Sequence, residues 1–157
     1  MRRLVLTAAA VCFGGCSDTR PFNVDGGDQL RAGAAYVDQR GCASCHQSGA
    51  RHVLDGASTP LAGTAAYGGN LTPDRSTGLG TWADVEIIRA LRFGFDPAGQ
   101  PLCPSMPRYP TMGDVEVGAI VAYLRSLPSV SNAVPGSMCP PVKPPPAPDM
   151  AAPATDM

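Results

Sequence analysis

The five residues Cys42-Ala43-Ser44-Cys45-His46 place two thiols and one imidazole within a single short stretch of chain. Cys42 and His46 are four residues apart, so one helical turn puts both side chains on the same face. Three chemistries use such a set: a redox-active dithiol, part of a zinc site, or covalent attachment of haem. In the third, the thiols form thioether bonds to the two vinyl groups, and His46 binds the iron.

The dithiol and zinc alternatives lack supporting residues elsewhere in the sequence. A thioredoxin-like dithiol needs a βαβ setting, and no strand pattern precedes Cys42. A structural zinc site needs four ligands, yet the only other histidine is His52, and the only other closely spaced cysteines, Cys12 and Cys16, stand in the apolar N-terminal residues. Apart from a chance match, the sequence favours one covalently bound haem c, held by Cys42 and Cys45, with His46 as an iron ligand.

A second axial ligand is expected from a methionine or a histidine. His52 follows His46 by only six residues, too few to reach the opposite face of the haem, so we place it at the surface or the haem edge. Met106 lies in the proline-framed loop "CPSMPRYP", whose fixed φ angles stiffen the presentation of the thioether. Met112 directly precedes a predicted helix and is expected to be a core residue. Met106 is therefore the predicted second ligand.

Three helices are predicted from the periodicity of apolar residues. The first covers about 28–40. The second is expected to be capped by Thr81 and to end at Gly94, and the third begins at Gly113 and ends before Pro128. Their predicted buried faces are Leu30, Ala34 and Val37; Val85, Ile88 and Leu91; and Val117, Ile120, Val121, Leu124 and Leu127.

Composition and charge indicate a small, loop-rich, all-α domain at residues 28–130. No strand pattern alternates convincingly, and the chain holds 18 Gly and 17 Pro but only 6% aromatic residues, so a large apolar cofactor would supply missing core volume. The 12 basic and 13 acidic residues give no footprint for nucleic acid. Residues 131–157 are rich in Pro and Ala and are predicted to be mostly disordered.

The N-terminal residues resemble a bacterial lipoprotein signal, predicted to cover 1–15. Two arginines precede an apolar run that is too short to span a bilayer, and two glycines precede Cys16, the expected site of lipidation. Residues 16–27 would form a tether. An Asp after the lipidated cysteine is the usual signal for retention in the inner membrane. Ser17 stands at that position, so the outer membrane is the favoured destination. Without residues 1–15, ten basic residues face 13 acidic ones, so membrane contact would depend on the lipid anchor.

Export also permits a disulfide between the two remaining cysteines, Cys103 and Cys139. The alternative is that one or both stay free.

The chain resembles class I c-type cytochromes, in particular the cytochrome subunits of bacterial membrane dehydrogenases. The resemblance covers about residues 28–130 and is carried by "GCASCHQ", "GGNLTPDRSTGLGTWADVEIIRALRFG", "PSMPRYPTM" and "GAIVAYLRSLP". It implies the cytochrome c fold, with three or more short helices packed around one haem. It also implies His46 and Met106 as axial ligands, and a close crossing of the first and last helices at Gly33 and Gly118.

The same resemblance suggests further residues of the haem environment. The imidazole of His46 is expected to donate its other proton to a backbone carbonyl, for which Pro60 is the candidate. Tyr67, Asn70 and Trp82 could line the haem or bind its propionates, although Trp82 could equally be the first core residue of its helix.

Two features depart from the family pattern. Arg108 stands between Met106-Pro107 and Tyr109, and Cys103 is an addition. A bond from Cys103 to Cys139 would stiffen the loop that carries Met106.

The resemblance implies an exported electron carrier, not an enzyme, with a dehydrogenase or oxidase as redox partner. No catalytic carboxylate pair, no nucleophile paired with a base and no nucleotide-binding loop is found in the sequence. Two alternatives stay open: a haem-based sensor or peroxidase-like enzyme with a displaceable Met106, and a structural haem subunit docked on a dehydrogenase or oxidase.

Overall fold

The computed structural model of the chain describes residues 26–49 and 53–139. Within these ranges the secondary structure is helical, with two isolated β-bridges and no strand. The predicted all-α class is confirmed. The helices, in chain order, are α1 (Gly26–Gln39), α2 (Ala43–His46), α3 (Asp84–Phe93) and α4 (Asp114–Ser126).

Several predicted features lie outside the described residues: the signal at 1–15, Cys16, His52 and the end of the tail at 140–157. In the part of the chain that the structure covers, no helix has both the length and the apolar run needed to cross a bilayer.

The packing of α1 against α4 is the main contact between helices. Gly33 of α1 lies directly on the backbone of α4, because a Cβ atom at Gly33 would stand only 2.1 Å from the carbonyl oxygen of Ala119. The expectation that Gly118 takes part in this crossing is wrong, since a Cβ atom there would meet nothing within 4 Å. Four of the five residues predicted for the α4 stripe are buried, namely Val117, Ile120, Val121 and Leu124, whereas Leu127 follows the helix as its C-cap and is partly buried.

Helix α3 starts later than the sequence suggests, and of its three predicted core residues Leu91 is buried, Ile88 is partly buried and Val85 is exposed. Its N-cap is Ala83 and not Thr81, and the carboxylate of Glu86 accepts the Ala83 N–H at 2.7 Å, which is half of a capping box. Val85, predicted to be buried, is 68% exposed, whereas Ile87 is 3% exposed. Two isoleucines stand side by side at 87 and 88, so the sequence supports two competing stripes, and it is Ile87 that belongs to the buried core cluster.

The core is small and aliphatic. Its fully buried members include no Phe, Tyr or Trp among the described residues, and Met112 belongs to it, as predicted, at 6% exposed. Partly buried aromatic side chains, Tyr36, Trp82, Tyr109 and Tyr123, pack around it. The scarcity of large core side chains expected from composition is therefore visible in the packing. The buried cluster comprises Val37, Leu54, Leu79, Ile87, Leu91, Met112, Val117, Ile120, Val121 and Leu124.

A tight turn at Asp74 organises the loop before α3. Its carboxylate accepts the hydroxyl and the backbone N–H of Thr77, both at 2.8 Å, and the backbone N–H of Ser76 at 3.1 Å. These bonds, that from the Thr77 hydroxyl first, lower the pKa of Asp74 because each stabilises the charged carboxylate.

Residues 129–139, here called the strap, follow α4 and run back along this loop. The carbonyl of Val130 accepts a hydrogen bond from Asn70 Nδ2 at 2.7 Å, and the N–H of Asn132 donates to Thr77 Oγ1 at 3.0 Å. The strap is therefore fixed at its start by polar contacts with the loop.

The other end of the strap is fixed as well. Ser137 Oγ accepts the backbone N–H of Tyr67 at 2.8 Å, and a disulfide joins Cys139 to Cys103, with 5.2 Å between their Cα atoms. The prediction of disorder from 131 onward needs correction for residues 131–139. Composition was misleading there because backbone and side-chain hydrogen bonds, rather than apolar burial, hold the segment.

Candidate functional site

The CxxCH motif forms α2 and the residue before it. Cys42 lies at the start of the helical turn, and its carbonyl accepts the N–H of His46 at 3.0 Å, which closes the turn. Both thiols and the imidazole therefore come from one helical turn, as the spacing predicts. Burial raises the pKa of the Cys42 thiol, the effect expected for a thiol beside an apolar cavity.

The imidazole of His46 is oriented by one hydrogen bond. Its Nδ1–H donates to the carbonyl oxygen of Gly69 at 2.8 Å. Because a carbonyl can only accept, Nδ1 carries the proton and the Nε2 of the neutral ring keeps its lone pair. Burial lowers the pKa of His46, while the bond to Gly69 works in the opposite direction. The ring is thus held as a neutral imidazole suited to binding a metal.

Pro60, the predicted acceptor for this proton, does not take that role. Pro60 is exposed and lines neither cavity of the site, and Gly69 holds the imidazole in its place. Gly68 explains how the Gly69 carbonyl comes so near: a Cβ atom at Gly68 would stand 1.9 Å from the carbonyl oxygen of Cys45. The paired glycines in "YGGN" carried this signal, because only glycine allows two backbones to approach so closely.

Two adjoining cavities, of about 310 and 270 Å³, meet at the site, with His46, Leu102 and Met106 in the walls of both. Cys42 lines the larger cavity and Cys45 the smaller. The larger has a predominantly apolar wall, made of Val37, Cys42, His46, Gly69, Asn70, Leu71, Thr77, Gly78, Leu79, Trp82, Ile87, Ala90, Leu91, Leu102, Met106, Ile120 and Leu124.

The surroundings of Met106 and Met112 distinguish the two methionines as candidate iron ligands. Met106 is half-buried and lies in a loop that is pinned on both sides: Leu102 N–H donates to the Gly94 carbonyl at 2.8 Å, and Tyr109 N–H to the Leu91 carbonyl at 2.9 Å. Met112 is buried in the core and lines neither cavity. Only Met106, of these two, therefore shares a cavity with His46.

The predicted environment residues divide into two groups. Trp82 lines the larger cavity and Tyr67 the smaller, so both are placed to contact a bound group. Asn70 also lines the larger cavity, but its Nδ2 already donates to Thr77 Oγ1 at 3.0 Å and to the Val130 carbonyl at 2.7 Å. Both amide protons are used, so Asn70 as placed has no donor left for a propionate.

The loop after Met106 is held by charge as well as by its backbone. The guanidinium of Arg40 lies over the ring of Tyr109, 4.8 Å from its centroid, and forms an ion pair with Glu116 at 2.5 Å. This arrangement joins the residue that follows α1 to the loop and to α4. Arg108, which departs from the family pattern, lies across Gly94 instead of entering the site.

The side chains that line the two cavities are those that would bind one particular cofactor. An imidazole nitrogen and a thioether sulfur share a largely apolar cavity, with two thiols from the same turn beside it, and these are the groups that bind and attach haem c. The larger cavity lies at the lower end of the usual range for ligand sites, about 300–1,000 Å³. Fold and site together define a small all-α domain built for a covalently attached haem.

Comparison with known proteins gives the family. The family model for cytochrome c matches residues 30–128, and the chain belongs to the cytochrome c family. Membership implies covalently bound haem c and a role in electron transfer.

Three curated relatives illustrate the similarity. A nicotinate dehydrogenase subunit of Pseudomonas putida is 32% identical over 111 residues, 69% of this chain and 9% of the relative. The gluconate 2-dehydrogenase cytochrome c subunit of Pantoea cypripedii is 33% identical over 102 residues, which cover 61% of this chain and 23% of the relative. A diheme cytochrome c-type protein of Cereibacter sphaeroides is 36% identical over 148 residues, which cover 83% of this chain and 48% of the relative. The chain spans less than half the length of each.

Proposed function

We propose that this chain is a monohaem cytochrome c that carries single electrons, with His46 and Met106 as the axial ligands of the iron. The observation that carries the proposal is the presence of both side chains in the walls of the same two cavities. The single CxxCH motif of the chain supports one haem, attached through Cys42 and Cys45.

In electron transfer the protein would hold the haem, orient its ligands and shield it from water. A haem supplies the reversible one-electron couple of its iron. The Gly69 carbonyl fixes the imidazole of His46, the pinned loop presents the sulfur of Met106, and the aliphatic walls exclude water. His46 and Met106 would hold such an iron in both oxidation states, which would suit electron transfer better than substrate chemistry.

A dehydrogenase is the proposed electron donor. Relatives named as subunits of nicotinate, gluconate and fructose dehydrogenases support this assignment by class. The chain would work on the periplasmic side of a bacterial envelope, after loss of residues 1–15. We further propose a lipid on Cys16 as its anchor, with the outer membrane as destination, because Ser17 follows in place of Asp.

The function is tested by haem attachment and a redox titration of the full chain, matured in a host with a cytochrome c assembly system. We expect covalent haem, retained on denaturation, and a single one-electron transition. The Cys42→Ala/Cys45→Ala variant should lose covalent haem. Cys103→Ser/Cys139→Ser is the matched control because it also removes two cysteines, and it should keep the haem. Equal haem content in both variants, or a second redox transition, would contradict the proposal.

The anchor needs a separate test. Labelled palmitate should be incorporated into the wild type and into Cys12→Ser, which lies within the predicted signal, but not into Cys16→Ser. Incorporation of the label into Cys16→Ser, or its absence from the wild type, would rule out Cys16 as the lipidated residue.

A further inference from the structure

The residue after Gly69 is buried, polar and fully hydrogen-bonded. Asn70 is 4% exposed, and both ends of its amide are used. Its Nδ2 donates to Thr77 Oγ1 and to the Val130 carbonyl, while its Oδ1 accepts the N–H of Thr72 at 2.9 Å and the Thr72 hydroxyl at 2.8 Å. One side chain thus joins three segments: its own loop, the turn at Asp74 and the start of the strap.

The main chain on either side of Gly69 and Asn70 is fixed by other contacts. The carbonyl of Gly68 accepts the N–H of Ala57 at 2.8 Å, and the N–H of Leu71 donates to the Leu54 carbonyl at 2.9 Å. The carbonyl of Gly69 itself accepts the proton of the His46 ring. The Gly69 carbonyl is part of the peptide that links Gly69 to Asn70, so the direction of the carbonyl depends on the orientation of that peptide. The hydrogen bonds of the Asn70 side chain hold one end of the peptide.

We infer that Asn70 is a positioning residue for His46: through its amide it sets the direction of the Gly69 carbonyl, which in turn orients the imidazole and raises its basicity. The strap provides the far anchor through the Val130 carbonyl. This inference rests on the proposed role of His46 as an iron ligand. A carbonyl that accepts the distal N–H of a ligating histidine strengthens the ligand as a donor, so its loss raises the reduction potential.

Thr77 is the second link in this arrangement. Its hydroxyl oxygen accepts from Asn70 Nδ2 and from the N–H of Asn132, and its proton goes to Asp74. Thr77→Val keeps the shape of the side chain and removes all three bonds, whereas Thr77→Ser keeps the hydroxyl. The pair separates loss of hydrogen bonding from loss of packing, and it remains usable if Asn70→Ala does not fold.

The test measures solvent exchange of the His46 Nδ1–H by NMR in reduced, haem-loaded full chain labelled with ¹⁵N-histidine. The chain has only two histidines, so the spectrum is simple. In Asn70→Ala and Thr77→Val we expect exchange at least about fivefold faster, the factor equivalent to one hydrogen bond of about 1 kcal/mol. The reduction potential should rise in the same variants, and Thr77→Ser should restore both properties.

A destabilised variant elsewhere in the fold separates the positioning of His46 from a general loss of stability. Gly33→Ala disturbs the crossing of α1 and α4 and leaves Asn70 and Gly69 untouched. It should change neither the exchange rate nor the potential. If Asn70→Ala and Thr77→Val behave like Gly33→Ala, the inference is overturned while the ligation stands. If the wild-type His46 ring titrates as a free imidazole, the ligation fails, and the inference fails with it.

Discussion

The contact between Gly33 and the backbone of Ala119 makes a prediction whose sign opposes helix propensity. Alanine is favoured over glycine inside a helix by about 1 kcal/mol, so a Gly→Ala change in α1 should stabilise the protein if nothing else intervened. At position 33 the new Cβ atom would stand 2.1 Å from the Ala119 carbonyl oxygen and 2.6 Å from Tyr123 Cβ. We expect Gly33→Ala to be destabilising.

The magnitude follows from the distance. Even close C–H···O contacts keep carbon and oxygen about 3.3 Å apart, so α1 and α4 must separate by about 1 Å at their crossing. Overpacking of this kind costs about 1–3 kcal/mol, and the upper end applies because the obstacle is backbone rather than a mobile side chain. After subtracting about 1 kcal/mol for propensity, the net loss of unfolding free energy should be about 2 kcal/mol.

Gly118 provides the matched control. It lies one residue from Ala119 in the same crossing helix, and a Cβ atom there would meet nothing within 4 Å. Gly118→Ala should therefore raise the unfolding free energy by about 1 kcal/mol. The assay is denaturant unfolding of the haem-loaded protein, followed by far-UV circular dichroism. A Gly33→Ala protein as stable as wild type, or two variants that shift in the same direction, would refute the packing argument.

Three further perturbations test other parts of the account. Ile87→Ala should lower the unfolding free energy by about 2–5 kcal/mol, whereas Val85→Ala, on the exposed side of α3, should change it by less than about 0.5 kcal/mol; equal effects would show that the helix face is wrongly assigned. Cys103→Ser/Cys139→Ser opens a bridge between residues 36 apart and should cost up to about 4 kcal/mol in chain entropy, measured by the same unfolding assay; no loss would argue against a bridge in the native protein. The Thr77 hydroxyl and two backbone amides donate to Asp74 and lower its pKa, so this carboxylate stabilises the fold above its unfolded-state pKa near 3.8, and that stability is lost as pH falls through the folded-state pKa. Asp74→Asn should therefore be less stable than the wild type at pH 7. The difference in unfolding free energy should narrow below about pH 4 in unfolding curves taken across pH.

Local patterns were enough to predict the site motif and the helices around it. CxxCH reads directly as one helical turn, and the α4 stripe follows from 3.6-residue periodicity. The start and face of α3 were not predictable in the same way, because Ile87 and Ile88 allow two faces and Glu86, not Thr81, provides the capping contact. That choice depends on tertiary packing.

The hydrogen-bonding partner of His46 and the course of the strap depend on contacts far apart in sequence. Gly69 lies 23 residues from His46, and the strap reaches Asn70 across 60 residues. Neither contact leaves a periodic signal. What the sequence offered was indirect: paired glycines in "YGGN" for a close backbone approach, and a cysteine at 139 in a segment otherwise rich in proline and alanine.

The central claim is that His46 and Met106 bind one iron from opposite sides, and the visible spectrum of the oxidised protein tests it most directly. Ferric haem bound by a thioether gives a weak charge-transfer band at the red end of the spectrum. We expect this band at neutral pH in the wild type and in Met112→Leu, which alters the other methionine of the domain. Met106→Ala should lose it. Absence of the band from the wild type, or its survival in Met106→Ala, would contradict the account.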